Sequence, residues 1–144
     1  MTKEQCLQAI EESGVVAVIR ANSADELMQI TTALNKGGVK ALEITMTSPG
    51  ALETIKTAVK ELGDQAIIGV GSVLDAETAR LAILAGAQFV VSPVFKPEIV
   101  EMCRRYSRAC IPGAFTPTEI LAAWEAGADV VKIFPATKLG PGYI

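Results

Sequence analysis

The chain has 144 residues, of which 50% are hydrophobic and 20% are charged, a composition that supports a folded core and is too apolar for a disordered chain. Its formal net charge is −3 and it contains no basic run, so we expect no general nucleic-acid-binding surface and no anionic-membrane surface. No apolar stretch approaches the ~20 residues of a membrane span, and the amino terminus lacks the profile of a signal peptide. These features predict a soluble, cytoplasmic protein with a single domain over residues 1–144.

The sequence contains no histidine. This excludes Ser-His-Asp and Cys-His triads, histidine-ligated metal sites and the commonest general base. The cysteines Cys6, Cys103 and Cys110 are odd in number and lack C-x-x-C spacing, so we interpret them as buried apolar residues and not as a disulfide framework or zinc site. Catalysis would therefore depend on Lys, Glu, Asp, Arg, Ser, Thr or Tyr side chains, or on a cofactor.

Short apolar runs alternate with helical patterns along the whole chain. The first strand is predicted at residues 15–19, and a capping box at Ser23 and Glu26 opens the helix that Gly37 ends. The later strands are predicted at residues 41–45, 65–70, 89–92, 109–112 and 129–134. Helices are predicted between them, over about residues 49–62, 75–85, 97–107 and 117–126. This alternation indicates parallel βα units.

Three of these strands share a weak repeat, which aligns residues 38–44, 86–92 and 127–133 without gaps. In each copy the glycine that ends a helix stands five residues before the same strand position, which holds Glu43, Val91 or Lys132. Because equal offsets give equal pleat phase, the three side chains should point to the same side of the sheet at similar height.

The repeat favours a barrel over an open, doubly wound sheet. The dinucleotide-binding pattern G-x-G-x-x-G fails, because Leu74 stands where its third glycine should be. In a (β/α)₈ TIM barrel, alternate strands contribute to one interior layer, which would place Glu43 opposite Lys132 across the lumen. Since a complete barrel takes about 250 residues, we expect an α/β fold in which residues 1–144 supply about the first six strands of an incomplete TIM barrel.

The candidate chemistry lies in this layer. Lys132 stands in an apolar strand, where desolvation favours the neutral amine that can form a Schiff base with a ketone. Glu43 is a candidate general acid or base beside it. A structural Lys–Glu ion pair is the alternative, which we consider weaker because buried ion pairs stabilise poorly compared with apolar packing. Arg20 ends the first strand and suits a substrate carboxylate or phosphate, although a solvated charge is equally expected there.

Seven motifs occur in an order and spacing that resemble one family, the 2-keto-3-deoxy-6-phosphogluconate / 4-hydroxy-2-oxoglutarate aldolases. These are class I lyases on a (β/α)₈ barrel, and the resemblance covers essentially the whole chain. The motifs are Val16-Ala17-Val18-Ile19-Arg20, Gly37-Gly38-Val39, Leu42-Glu43-Ile44-Thr45, Gly69-Val70-Gly71-Ser72-Val73, Ser92-Pro93, Ile111-Pro112-Gly113 with Thr116-Pro117-Thr118-Glu119, and Lys132-Ile133-Phe134-Pro135.

The resemblance implies roles for individual residues. Lys132 would be the Schiff-base lysine and Glu43 the proton-transferring residue. The pocket for the pyruvyl group would be lined by Arg20, Thr47, Ser72 and Pro93. The family often has threonine in place of Ser72, and some members have arginine in place of Thr47, which here leaves carboxylate binding to Arg20. The phosphate-binding loops expected after strands seven and eight lie beyond Ile144.

The predicted function is retro-aldol cleavage of 2-keto-3-deoxy-6-phosphogluconate or 4-hydroxy-2-oxoglutarate to pyruvate and an aldehyde. The imine is the electron sink, so we expect a metal-independent lyase without a cofactor. The expected partner is a small 2-keto acid, with no nucleic acid and no membrane, and the resemblance implies a homotrimer. Two alternatives stay open: a 2-keto-3-deoxy-6-phosphogalactonate aldolase, which differs only in stereochemistry at C4, and a non-catalytic barrel fragment that serves as a scaffold.

Overall fold

The computed structural model describes residues 1–137 and 139–144 and contains one five-stranded and one two-stranded parallel sheet. The strands of the larger sheet are Val16–Ile19 (β1), Ala41–Thr45 (β2), Ile67–Gly71 (β3), Phe89–Val91 (β4) and Ala109–Ile111 (β5). The smaller sheet pairs Gly113–Ala114 (β6) with Lys132–Ile133 (β7). The helices are Lys3–Ser13 (α1), Ala24–Lys36 (α2), Ala51–Leu62 (α3), Ala76–Leu84 (α4), Pro97–Arg105 (α5) and Pro117–Glu125 (α6).

The strand order decides between the two architectures that the sequence pattern allowed. The five strands of the larger sheet follow one another in chain order, each parallel to its neighbour. A doubly wound sheet reverses its strand order at a switch point, whereas a barrel winds in one direction. The chain therefore has an α/β fold with a singly wound parallel sheet, and β1 and β7 do not pair with each other in the part that the structure describes.

The two faces of the larger sheet have separate cores. The outer face packs against α2 to α5 and includes Leu42, Ile44, Ile68, Val70 and Val90 from the strands, with Leu27, Ile55, Ala82, Ile99 and Cys103 from the helices. The inner face has a smaller cluster, which consists of Cys6, Ile67, Phe89, Val91, Ala109 and Ile111. All three cysteines are free and buried, as the sequence predicts.

The helix α1 closes the inner cluster and was not predicted from the sequence. Thr2 and Gln5 form its capping box, and Cys6 is its one fully buried residue, against the inner face of the sheet. Lys3 Nζ lies 2.8 Å from Asp129 Oδ1 and ties the helix to the chain before β7. The helix precedes β1 and so lies outside the βα alternation from which the other helices were predicted.

The helix α2 begins where the sequence predicts, with a modified cap. Ser23 Oγ accepts a hydrogen bond from Glu26 N at 3.2 Å, as in a capping box. The Glu26 carboxylate reaches one residue further back than predicted and accepts from Asn22 N at 2.8 Å. No helix in the described ranges is both long and apolar enough to cross a membrane.

Two predicted strands are interrupted. The strand expected at residues 109–112 ends one residue earlier, as β5, and β6 begins after Pro112, because proline has no N–H to donate to the ladder. The Pro112 carbonyl accepts a hydrogen bond from Lys132 N at 2.9 Å. The strand expected at residues 129–134 is paired only over Lys132–Ile133. Before it, Asp129 N and Val130 N both donate to Cys110 O, and Asp129 Oδ2 accepts from Cys110 N at 2.9 Å. The Asp129 side chain thus binds the Cys110 N–H, a donor that a regular β ladder would use.

Candidate active site

Glu43 lies in the middle of β2 and is only 4% exposed. It is in register with Gly69 of β3, and a Cβ added at Gly71 would overlap the Glu43 carboxylate. A Cβ added at Gly69 would likewise overlap the Phe89 ring of the inner cluster. The Gly-Val-Gly segment that fails as a dinucleotide-binding motif therefore makes room on the inner face for the Glu43 side chain.

The electrostatic environment of Glu43 links it to two cations. Burial raises the pKa of the Glu43 carboxyl above its ordinary value of 4.5, and the positive charges of Lys132 and Arg20 oppose this rise. Both cations are close enough to act on the carboxyl, but neither is joined to it by an ion pair or hydrogen bond in the described part of the chain. A carboxyl in this setting can exchange a proton with a reacting group between the cations.

Lys132 opens β7 and is half-buried in this structure, so its side chain is less buried than the apolar strand around it led us to expect. Its Nζ lies 4.8 Å from the centroid of the Phe134 ring, a cation–π geometry. Its backbone N–H donates to Pro112 O across to the preceding strand. The amine is therefore held beside an aromatic ring and remains accessible.

The strand register agrees with the predicted layer of Glu43, Val91 and Lys132. Through β3, Glu43 is in register with Phe89, and Val91 stands two residues further along β4. Val91 is in register with the β5 residue two positions before Gly113, and Gly113 pairs with Lys132. In an eight-stranded barrel, positions of equal height advance by about one residue per strand. When β5 and β6 are counted as one interrupted strand, Val91 lies two strands and two residues beyond Glu43, and Lys132 lies two strands and two residues beyond Val91. The offset is therefore one residue per strand.

Arg20 follows β1 directly and its side chain is exposed. The backbone on both sides of it is hydrogen-bonded to hydroxyls that follow the same edge of β2. Thr45 Oγ1 donates to Ile19 O at 3.1 Å, and Ser48 Oγ accepts from Ala21 N at 3.1 Å. Ser48 was not among the predicted site residues, because its burial and its hydrogen-bond partner are seen only in the structure.

The other predicted pocket residues follow neighbouring strands. Thr47 comes after β2, is exposed, and donates from Oγ1 to Thr45 Oγ1 at 3.1 Å. Ser72 comes after β3 with a left-handed backbone at φ 59°, and Pro93 follows the end of β4; both are half-buried. Because the carboxyl ends of parallel strands meet at one edge, the fold places these residues at the same edge as Arg20.

The candidate site therefore combines the amine of Lys132, the buried carboxyl of Glu43 on the inner face and the guanidinium of Arg20 at the carboxyl edge of the larger sheet. An amine can attack a carbonyl, a carboxyl can move protons, and a guanidinium can hold a carboxylate. Within residues 1–137 and 139–144, no three histidine, cysteine or carboxylate side chains are grouped so that they could hold a metal ion.

Comparison with known proteins gives one consistent family. A family model described as "Aldolase: KDPG and KHG aldolase" matches residues 7–142. A 2-dehydro-3-deoxy-phosphogluconate aldolase of Treponema pallidum is 39% identical over 133 residues, 92% of this chain and 63% of the relative. A 2-dehydro-3-deoxy-6-phosphogalactonate aldolase of Escherichia coli K12 is 35% identical over 90% of this chain and 63% of the relative. The chain thus spans less than two thirds of the length of these relatives.

Comparison with solved structures also gives matches over most of the chain. A porous protein cage designed by fusing symmetric oligomeric domains matches with a TM-score of 0.84 and 35% identity, over 89% of this chain and 47% of that one. A KDPG aldolase from Legionella pneumophila, in which pyruvate was captured as a covalent carbinolamine intermediate, matches with a TM-score of 0.76 and 27% identity. That match covers 87% of this chain and 59% of the other.

Proposed function

Because the chain belongs to the KDPG and KHG aldolase family, we propose that the complete protein is a class I aldolase. Its substrate is 2-keto-3-deoxy-6-phosphogluconate, 4-hydroxy-2-oxoglutarate or both, and its products are pyruvate and an aldehyde. The observation that carries the proposal is the Glu43 carboxyl, which is buried on the inner face against Gly71 and experiences the positive charges of the Lys132 amine and the Arg20 guanidinium. The reaction needs no metal, since the imine accepts the electrons.

The proposed reaction begins at Lys132. Its neutral amine adds to the C2 ketone to form a carbinolamine. The carbinolamine hydroxyl then takes up a proton from solvent and leaves as water, which forms a protonated imine; the later hydrolysis of the imine returns that proton. The C3–C4 bond then breaks, its electron pair moves toward the imine nitrogen to form an enamine, and the C4 fragment departs as an aldehyde. The carbinolamine captured in the Legionella relative is the kind of adduct that precedes such an imine.

Glu43 is the proposed proton carrier. As a carboxylate it takes the proton of the C4 hydroxyl while the C3–C4 bond breaks, and as a carboxylic acid it returns a proton to C3 of the enamine. Addition of water to the resulting imine then releases pyruvate and the free amine. The burial-raised pKa of Glu43 supports this role, because the group has to accept and release a proton in each turnover.

Substrate binding is proposed for four further residues. Arg20 holds the carboxylate of the keto acid with a charge-assisted pair. The hydroxyls of Thr47 and Ser72 hydrogen-bond to its polar atoms, and Pro93 shapes the apolar wall beside the methylene carbon. The four residues follow β1, β2, β3 and β4, so they surround the pocket from consecutive strands.

The complete protein is proposed to close as a (β/α)₈ barrel, to act in the cytoplasm and to form a homotrimer, in line with the singly wound sheet and the oligomeric domains of the matching cage. A galactonate-series substrate is the second candidate, favoured by the relative of that name. Assay of both C4 epimers in parallel distinguishes them, since only the cognate epimer should give pyruvate at full rate.

Borohydride trapping with pyruvate tests the proposed function. Reduction should attach a reduced pyruvyl group to Lys132 in the complete protein, and Lys132→Ala should lose both the adduct and turnover. Lys96→Ala is the matched control and should leave trapping intact, because among the described residues this half-buried lysine forms an ion pair only with Glu98, at 3.7 Å. An adduct on Lys96, or full turnover in Lys132→Ala, would overturn the assignment.

A further inference from the structure

The backbone around Arg20 lacks support from the sheet ladder. The last register pair between β1 and β2 joins Ile19 to Ile44, so Arg20 lies just beyond the ladder. Its side chain is exposed and forms no ion pair in the described part of the chain. A guanidinium that has to present a fork of donors to a carboxylate loses binding energy if its backbone is free to turn.

Two buried hydroxyls replace the missing ladder. Thr45 is fully buried and Ser48 is 6% exposed. Thr45 Oγ1 donates to the carbonyl just before Arg20 and Ser48 Oγ accepts from the amide just after it, each at 3.1 Å. The two hydroxyl oxygens are themselves 3.4 Å apart. The peptide groups on either side of Arg20 are thus joined to one hydroxyl pair.

The hydroxyl pair is held in turn by its own loop. Ser48 N donates to Thr45 O at 3.1 Å, which folds the chain after β2 into a tight turn. Met46 N donates to Gly71 O at 2.9 Å, which anchors the same loop to the end of β3. Buried polar groups with complete hydrogen bonding give a rigid local structure. The turn therefore couples the backbone on either side of Arg20 to the ends of β2 and β3.

From this juxtaposition we infer that Ser48, together with Thr45, is a positioning residue for substrate binding: the hydroxyl pair fixes the backbone on both sides of Arg20 and so sets the direction of its guanidinium. The inference rests on the proposed function, in which Arg20 binds the carboxylate of a keto acid. Ser48 itself touches no substrate in this scheme. Its effect reaches the reaction only through Arg20.

The test is steady-state kinetics of the complete protein with Ser48→Ala. We expect KM for the keto acid to rise about 5- to 10-fold with kcat within a factor of two, the size of a weakened hydrogen bond to a charged group. Ser48→Thr keeps the hydroxyl and should restore KM. Thr31→Ala is the matched control, because it also removes a buried hydroxyl, one that bonds only within α2 to Leu27 O at 2.7 Å.

A double-mutant cycle separates positioning from general loosening of the fold. In an Arg20→Ala background, Ser48→Ala should leave KM unchanged, because the group it positions is gone. Additive effects in the cycle, or a KM change in Thr31→Ala equal to that in Ser48→Ala, would overturn the inference. These outcomes require an active parent enzyme; a parent that neither traps pyruvate nor turns over would instead refute the proposed function itself.

Discussion

Leu42 and Glu43 are neighbours on β2, and both are almost fully removed from solvent, at 0% and 4% exposure. Leu42 faces outward into the large apolar core under the helices. Glu43 faces inward, where burial raises its pKa and where two glycines of β3 leave space beside it. The strand alternation thus separates stability from chemistry by a single residue. The outer face gains free energy from burial, whereas the inner face holds a buried carboxyl that costs free energy and that the proposed reaction uses.

The largest effect is expected on the inner face, from Glu43→Gln. Glutamine keeps the shape but carries no titrating proton, so cleavage should fall by about 10²–10⁴-fold, the usual contribution of general acid–base catalysis. Borohydride trapping of pyruvate should persist, because the amine of Lys132 is intact. Single-turnover cleavage and trapping should be measured on the same preparation. Full activity in this variant would reduce Glu43 to a counter-ion of Lys132.

On the outer face, Leu42→Ala should act on stability alone. Removing a fully buried leucine costs about 2–5 kcal/mol in the free energy of unfolding. Denaturant unfolding of the complete protein measures this loss, and KM should stay unchanged where the variant remains folded. Leu121→Ala is the control, since this leucine is 56% exposed and its loss should change stability by less than about 0.5 kcal/mol. A changed KM in Leu42→Ala would show that the two faces are not independent.

Gly71→Ala sharpens the comparison, because it changes the inner face without removing any functional group. A methyl group at this position overlaps the Glu43 carboxylate and must displace it. Since misplacement of a catalytic group by about 1 Å can cost 10²-fold, we expect kcat/KM to fall about 10- to 100-fold. Gly142→Ala is the control, as its added methyl would meet nothing within 4 Å. Wild-type kcat/KM in Gly71→Ala would mean that the Glu43 side chain can take another position.

The smallest effect concerns stability as a function of pH. Because folding raises the pKa of Glu43, the folded protein binds more protons than the unfolded chain between the ordinary pKa of 4.5 and the raised one. The stability that Glu43 contributes is therefore present at low pH and is lost as the pH rises through the raised pKa. Glu43→Gln should therefore melt at a higher temperature than the parent at pH 8, because glutamine carries no charge to bury. The difference should vanish near pH 4, and calorimetry at both values checks it. A difference in melting temperature that does not change with pH would mean that folding leaves the pKa of Glu43 unchanged.

Much of the fold was predictable from local patterns. The βα alternation, the helix caps and the repeated glycine-to-strand spacing depend on residues close in sequence, and the structure has parallel strands at those places. The helix α1 was missed because it precedes the first strand, outside the βα alternation from which the helices were predicted. The division at Pro112 follows from the missing N–H of proline. The shortened β7 was missed because the Asp129 carboxylate binds Cys110 N, a contact between two βα units.

The candidate site shows the same division. Glu43 and Lys132 were identified because a charged residue in an apolar strand is conspicuous, and the repeat placed both in one layer. Ser48 could not be identified in this way, since a serine after a strand is an ordinary turn residue until its partner is known. The meaning of Gly69 and Gly71 likewise depended on which side chains from β2 and β4 lie across them.

The class of fold, the strand phase and the residue types available for catalysis can all be read from the sequence, because they follow from spacing and from the chemistry of single residues. The folded chain was needed to show that the sheet is wound in one direction, that Gly71 accommodates Glu43 and that Thr45 and Ser48 support Arg20. The physical reason is that these contacts join different βα units. Their geometry is set by strand register and packing between units, and no local pattern contains either.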